Sequence, residues 1–344
     1  LSLTIAHIND HHSHLEPASG SADLGTTGGE FDYELGGFPR VVTKIAEIEA
    51  ANDNVVKVHA GDAITGTLFY TLFGGEADAA LMNAVCFDVF QVGNHEFDAS
   101  DSALVTFLDY LNGSDDCATV TLGANIVPAP GTPLLPDPPT QYLRPFHIID
   151  FGDQRVGFIG LDIAGKTTVS SSPLETTVFL DEVDTAQRYV EHLQAAGIEN
   201  IVLVTHQQYL NDIALAEAVS GVDAIVGGDS HTLLGDFSAF GITGEGDYPT
   251  MTTNADGDPV CVVQAWQYSA VVGELHLEFA DGKLAGCSGT PHLLIGSEFS
   301  REDDAGETVV IDGDELAEIT AAIEAIPTVA IVDPDPAAQA LLDT

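Results

Sequence analysis

Five times along this chain of 344 residues, a short run of β-branched and other apolar residues ends at a potential metal ligand. LTIAHI (3–8) runs out at Asp10, NVVKVHA at Asp62, DVFQV at Asn94, NIVLV at His206 and DAIVG at Asp229. Runs of this length, rich in Val and Ile, read as buried strands. Between them lie stretches with helical periodicity, at 38–51, 77–84, 102–111, 184–196 and 210–219. Strand and helix in alternation imply a mostly parallel sheet covered by helices. Such sheets bind ligands beyond the carboxyl ends of their strands, and all five polar motifs lie there.

Elsewhere the pattern changes. Residues 143–163 read as a hairpin turning at Gly152-Asp153, and residues 258–294 as further strands turning at Asp281-Gly282. Residues 17–37 and 126–141, rich in Gly, Thr, Pro and Ser, read as loops. After Asp312 comes a helical pattern, DELAEITAAIEAI, and then VDPDPAAQALLDT, the Pro-broken start of a further helix. No internal repeat is present.

The strand ends supply Asp10 with His12, Asp62, Asn94 with His95 and Asp98, His206, and Asp229 with His231. This set is rich in oxygen and imidazole and has no thiolate, which suits Zn²⁺, Mn²⁺ or Fe²⁺. Gly61, Gly93 and Gly228 precede three of the motifs and allow a sharp exit from each strand. Seven candidate ligands are too many for one tetrahedral ion and suit two ions that share a carboxylate.

The series N-D-x-H, G-D, G-N-H-E, T-H and G-x-S-H, in this order, resembles the calcineurin-like metallophosphoesterases. GNHEFD, with INDHHSH near the start and VVQAWQYSAVVGELHLEF late, resembles the 5′-nucleotidase/UDP-sugar hydrolase branch, over nearly the whole chain. The resemblance implies an α/β fold, a layered sandwich of two mixed β-sheets flanked by helices. That domain would occupy 1–310, with 311–344 beginning a linker helix toward a C-terminal substrate-binding domain. Asp10, His12 and His231 would hold one ion, Asn94, His206 and Asp229 the other, and Asp62 would bridge them. Water activated by the ion pair would attack phosphorus in line. His95 would steady charge on the phosphoryl oxygens or protonate the leaving group, with Asp98 orienting its imidazole.

One residue departs from the pattern. The branch usually has His where Asp229 stands, and a carboxylate there is a harder, negative ligand. That shifts metal preference toward Mn²⁺, Mg²⁺ or Ca²⁺. The implied substrate is a small phosphate ester, 5′-nucleotides foremost. Cyclic nucleotides, nucleotide sugars, nucleoside polyphosphates and thiosulfate esters suit the same site, and a non-catalytic binding protein is the reading if Asp229 impairs it. Among other residues, His7 reads as core, His59 as core ahead of a support for the ligands, and His147, His192, His276 and His292 as structural or exposed. His11 and His14 flank a ligand, Glu96 reads as a local anchor, and NADGDP (254–259) as a surface turn.

Charge excludes one class of partner. Nine Lys+Arg against 54 Asp+Glu give a net charge of -45, so no cationic face exists to release counterions from nucleic acid. The acids are spread along the chain, as in a solvated coat screened by salt in a halophilic or marine source; dedicated cation binding is the alternative. Cys86, Cys117, Cys261 and Cys287 form no C-x-x-C pair. Bonds Cys86–Cys117 and Cys261–Cys287 suit an oxidising compartment, against four buried thiols. No apolar stretch is long enough to span a bilayer. The chain opens in strand-like residues with no Met, as in a mature extracellular or periplasmic protein without its leader, or a chain trimmed to the domain.

Overall fold

In the computed structural model, which describes residues 1–303 and 305–344, the five runs are the strands Ser2–Ile8, Val55–His59, Val89–Gln91, Asn200–His206 and Ala224–Val226. The periodic stretches are the helices Phe38–Ala51, Glu76–Val85, Asp101–Leu111, Glu182–Ala195 and Tyr209–Ala218.

Side chains alternate between the two faces of a strand, and that alternation builds the layers. Leu3 and Ile5 join Val56, Val58, Val202, Val204 and Val226 in one apolar cluster. Ala6 and Ile8, on the other face, meet Phe38, Val41, Leu104 and Phe107 of two covering helices. Along Asn200–His206, Ile201 and Leu203 likewise turn outward to Val190, Leu193 and Leu215. Two sheets therefore pack face to face with helices outside each, the layered α/β sandwich expected. Each fully buried Val, Leu or Ile contributes roughly 1.5–3 kcal/mol.

Both sheets are mixed. In the ten-stranded sheet, Ser2–Ile8, Val55–His59, Val89–Gln91 and Val120–Leu122 run parallel, and Val271–Ala280 and Lys283–Glu302 extend it antiparallel. In the six-stranded sheet, Gln154–Asp162, Asn200–His206, Ala224–Val226 and Pro259–Val263 are parallel, with antiparallel edges Phe146–Phe151 and Thr250–Thr253. The turn between Ala280 and Lys283 puts Asp281 and Gly282 at φ 52° and 75°, the two positive values that a type I′ hairpin requires. The second expected hairpin turns between Phe151 and Gln154. Asn254 closes the acidic turn by accepting from the N–H groups of Asp256 and Asp258.

The expected loop at 17–37 contains two strands. Ala18–Ala22 and Phe31–Leu35 pair antiparallel, and the second of them joins Lys283–Glu302. The sequence ASGSA has no β-branched residue, so its strand follows from its partner rather than from propensity. In 126–141, only Ile126–Val127 is a strand, paired with Val178–Phe179. Residues 311–344 comprise the helix Gly313–Glu324, the strand Val329–Ile331 parallel to Lys283–Glu302, and the helix Pro336–Leu342 with Ala338 in the core.

The cysteines pair as Cys86–Cys117 and Cys261–Cys287, with Cα atoms 5.4 and 6.6 Å apart. The second bond ties Pro259–Val263 of one sheet to Lys283–Glu302 of the other. Replacing Cys261 and Cys287 together by Ala is expected to cost about 2–4 kcal/mol of unfolding free energy, by freeing the unfolded chain. Urea unfolding without reductant reads that loss, and four alkylatable thiols in the untreated protein would overturn both pairings.

Candidate metal centre

Five expected ligands share an uncommon backbone. Asp10, His12, Asp62, Asp229 and His231 have φ of 50°, 48°, 53°, 73° and 51°. Left-handed non-glycine residues cost of order 1–3 kcal/mol each and persist only where the surroundings over-determine them. Here the loops brace one another. The N–H of Asp10 donates to Gly61 O at 2.9 Å, and that of His12 to Asp62 O at 3.1 Å. The buried Glu96 carboxylate accepts from the N–H groups of Asp62, Ala63 and Gly93 at 3.0, 2.8 and 2.5 Å. Glu96 thus ties the second strand end to the third.

Of the three glycines, Gly61 alone has the positive φ, 96°. At Gly93 a Cβ would come within 2.3 Å of Asp62 Oδ1, and at Gly228 within 2.5 Å of Ala60 O. Those two positions are glycine for close approach, not for a sharp exit.

The strand ends of both sheets converge. The ligand atoms of Asp10, His12 and His231 lie within 4.8 Å of one another, as do those of Asp10, Asp62 and His206. His12 Nε2 and His231 Nε2 are 3.1 Å apart. Asp62 Oδ2 is 2.9 Å from His206 Nε2 and 3.7 Å from His12 Nε2, and His206 Nε2 is 3.7 Å from Asp229 Oδ1. Asn94 is fully buried at the third strand end.

These residues fit divalent ions. Asp10 Oδ1, both amide atoms of Asn94, His206 Nε2 and Asp229 Oδ2 are buried without a hydrogen-bond partner. Leaving one such group unmet costs about 1–3 kcal/mol. Asp10, Asp62 and Asp229 are 0, 1 and 7% exposed, and three buried carboxylates so close together require cations. Burial would raise the Asp10 carboxyl, but the facing imidazoles of His206, His12 and His231 outweigh it and hold it below the usual range. The far nitrogens of two imidazoles are already fixed. His206 Nδ1–H donates to Ala60 O at 2.8 Å, and His231 Nδ1–H to Gln267 Oε1 at 2.5 Å. Each Nε2 lone pair is left for an ion.

A cavity of about 680 Å³ opens on this cluster, lined in part by Asp62, His95, Asp98, Lys166, Asp229 and Tyr268. His95 Nδ1–H donates to Asp98 Oδ2 at 2.6 Å. That bond, with lesser help from Asp62, overcomes burial and draws the imidazole up to about 9.

Sequence reasoning missed several residues. Lys166, in the helix Ala164–Ser170, donates to Asp229 Oδ1. Tyr268 stacks on His14, ring centroids 3.9 Å apart, so His14 also lines the cavity. His11 turns away from the cluster: its Nδ1 meets His59 Nε2 at 2.8 Å and its Nε2 meets Asp78 Oδ1 at 3.2 Å. His59 is more than a core residue, since its Nδ1 also accepts from the N–H of Gly61 at 3.2 Å.

Residues 3–233 match the model of the calcineurin-like phosphoesterases. A probable 5′-nucleotidase of Treponema pallidum is 40% identical over 85% of the chain and 48% of its own length. The NAD 5′-nucleotidase of Haemophilus influenzae is 37% identical over 97% of the chain and 54% of its own length. The solved structure of the Haemophilus influenzae NAD nucleotidase superposes with a TM-score of 0.90 at 35% identity, covering 100% of this chain and 59% of that one. The chain therefore spans about half the length of the relatives it matches.

Proposed function

The chain belongs to the calcineurin-like phosphoesterase family, and on that footing we propose that it hydrolyses phosphate monoesters, 5′-nucleotides foremost, at a dinuclear centre. Asp10, His12 and His231 would hold one divalent ion and Asn94, His206 and Asp229 the other, with Asp62 common to both. The observation that carries this reading is the burial of three carboxylates beside unpartnered Asn94 and His206 atoms. A pair of bound ions supplies Lewis acidity toward phosphoryl oxygens and a nucleophile from water near neutral pH. The protein's own part is to aim and to protonate. Glu96 and the braced loops fix the ligands, and Asp98 on Nδ1 of His95 leaves Nε2 to deliver a proton to the leaving oxygen.

The name of the Haemophilus relative adds NAD as a second candidate substrate. Since the chain spans about half the length of its relatives, we also propose that a further domain, C-terminal in the full-length protein, grips the nucleotide. Two disulfides support an oxidising, extracellular or periplasmic site of action; no described helix is long and apolar enough to cross a membrane.

The test is steady-state kinetics of the metal-loaded chain on p-nitrophenyl phosphate, AMP, UDP-glucose and NAD. Hydrolysis of p-nitrophenyl phosphate is expected, with weak discrimination among the nucleotides. A net charge of -45 repels every such anion. Salt shortens the screening length from about 10 Å at 0.1 M to about 3 Å at 1 M. Across that range kcat/KM is therefore expected to rise several-fold. No turnover with two ions bound would overturn the hydrolase reading, and a fall with salt the electrostatic one.

A further inference from the structure

Among the described residues that line the cavity, Lys166 is the sole Lys or Arg, in a chain that has nine in all. Its backbone is pinned. Thr167 Oγ1, on the next residue, donates to the buried Asp162 Oδ2 at 2.6 Å, and the N–H of Ala164 donates to Glu182 Oε1 at 2.8 Å. The Lys166 side chain is 34% exposed, while the Asp229 carboxylate it meets is fully buried. That carboxylate has two uses at once. Oδ1 accepts from Lys166 and lies 3.7 Å from His206 Nε2, and Oδ2 is buried with no partner. One residue can thus hold the ammonium and still present an oxygen to the ligand cluster. A histidine, which the resemblance leads one to expect at 229, would present one ring nitrogen to the cluster and no anion to the lysine.

We propose that Lys166 is a substrate-binding residue that grips a phosphoryl oxygen, and that aspartate stands at 229 because it holds that ammonium at the cavity floor. Phosphate monoesters are dianions entering a protein of strongly negative charge, and an ammonium point charge is a suitable local partner. Asp229 also fixes the four-carbon stem of Lys166, which reduces the entropy lost when an anion binds. The inference rests on the proposed hydrolase reading.

Its test is calorimetric binding of inorganic phosphate to the metal-loaded chain, with metal content measured by elemental analysis on the same samples. Lys166→Met is expected to keep about two ions while weakening phosphate about 10- to 100-fold, the worth of one charge-assisted hydrogen bond. The KM for p-nitrophenyl phosphate is expected to rise in parallel, with kcat changed less. Lys166→Arg is expected to restore part of the affinity, and thermal melts establish that each variant is folded. In an Asp229→His background, Lys166→Met is expected to change phosphate binding no more than about twofold, because the two effects belong to one pair. Unchanged phosphate affinity in folded Lys166→Met would overturn the inference, as would a loss cured by excess metal, which would make Lys166 only a counter-charge. Equal losses in both backgrounds would overturn the pairing with Asp229. Absence of hydrolysis by the metal-loaded parent chain would instead sink the hydrolase reading.

Discussion

Replacing Asp62 by Ala is expected to take the protein from about two bound ions to fewer than one and to drop hydrolysis to the assay background. The Asp62 side chain touches both proposed groups of ligands. Its Oδ2 lies 2.9 Å from His206 Nε2 and 3.7 Å from His12 Nε2, and its Oδ1 accepts from the N–H of His95 at 2.8 Å. Asp10 is the one other carboxylate that closes distances to both groups of ligands, and it makes no contact with the His95 backbone. A bridging ligand acts on both ions, so its loss is not compensated by the ligands that remain. Asp62→Asn provides the control for shape. In EDTA it is expected to melt no higher than the parent protein, because His206 and His12 face the Asp62 carboxylate and outweigh its burial and the repulsion from Asp10. With Mn²⁺ or Zn²⁺ it is expected to lose the stabilisation that binding confers on the folded state. Elemental analysis and melting curves in both conditions decide the matter. Two ions retained by Asp62→Ala would remove Asp62 from the bridging role.

What the sequence made legible divides along a physical line. Strands followed by Asp62, Asn94 and Asp229 announce themselves because local chemistry defines them: β-branched runs that stop at Gly and an oxygen ligand. The covering helices are equally local, set by period and propensity. What was missed depends on residues far apart in the chain. Lys166 sits in AGKTTVS, a segment without helical periodicity, and its partner Asp229 is 63 residues away. The strand Ala18–Ala22 exists through its pairing with Phe31–Leu35. His11 and His59, 48 residues apart, read separately as the neighbour of a ligand and as a core histidine, and together form a buried link between two ligand-bearing segments. The left-handed backbone of the ligands carried a faint signal, since Asp and His are enriched among non-glycine residues in that region. Gly93 and Gly228 carried a misleading one, because glycine marks close approach as well as conformational freedom.

The other large effect is expected at His95, where Ala should slow turnover of AMP by about 10²–10⁴-fold, the usual worth of a positioned acid or base, and leave both ions bound. The separation is possible because His95 touches the centre in two ways. Its backbone N–H supports Asp62 Oδ1 at 2.8 Å, and any residue at 95 keeps that bond. Its imidazole is held from the far side by Asp98, Nδ1 to Oδ2 at 2.6 Å, so Ala removes the ring and spares the ligand. Asp98→Asn keeps the ring and weakens its orientation, and is expected to cost less than Ala at 95. The leaving group then reports which job the ring performs. p-Nitrophenolate departs without a proton, whereas the ribose oxygen of AMP needs one. If His95 is the general acid, the loss on p-nitrophenyl phosphate is therefore expected to be at least tenfold smaller than on AMP. Equal losses on the two substrates, with metal content intact, would sink the acid role and assign His95 instead to charge on the phosphoryl oxygens, which both reactions share.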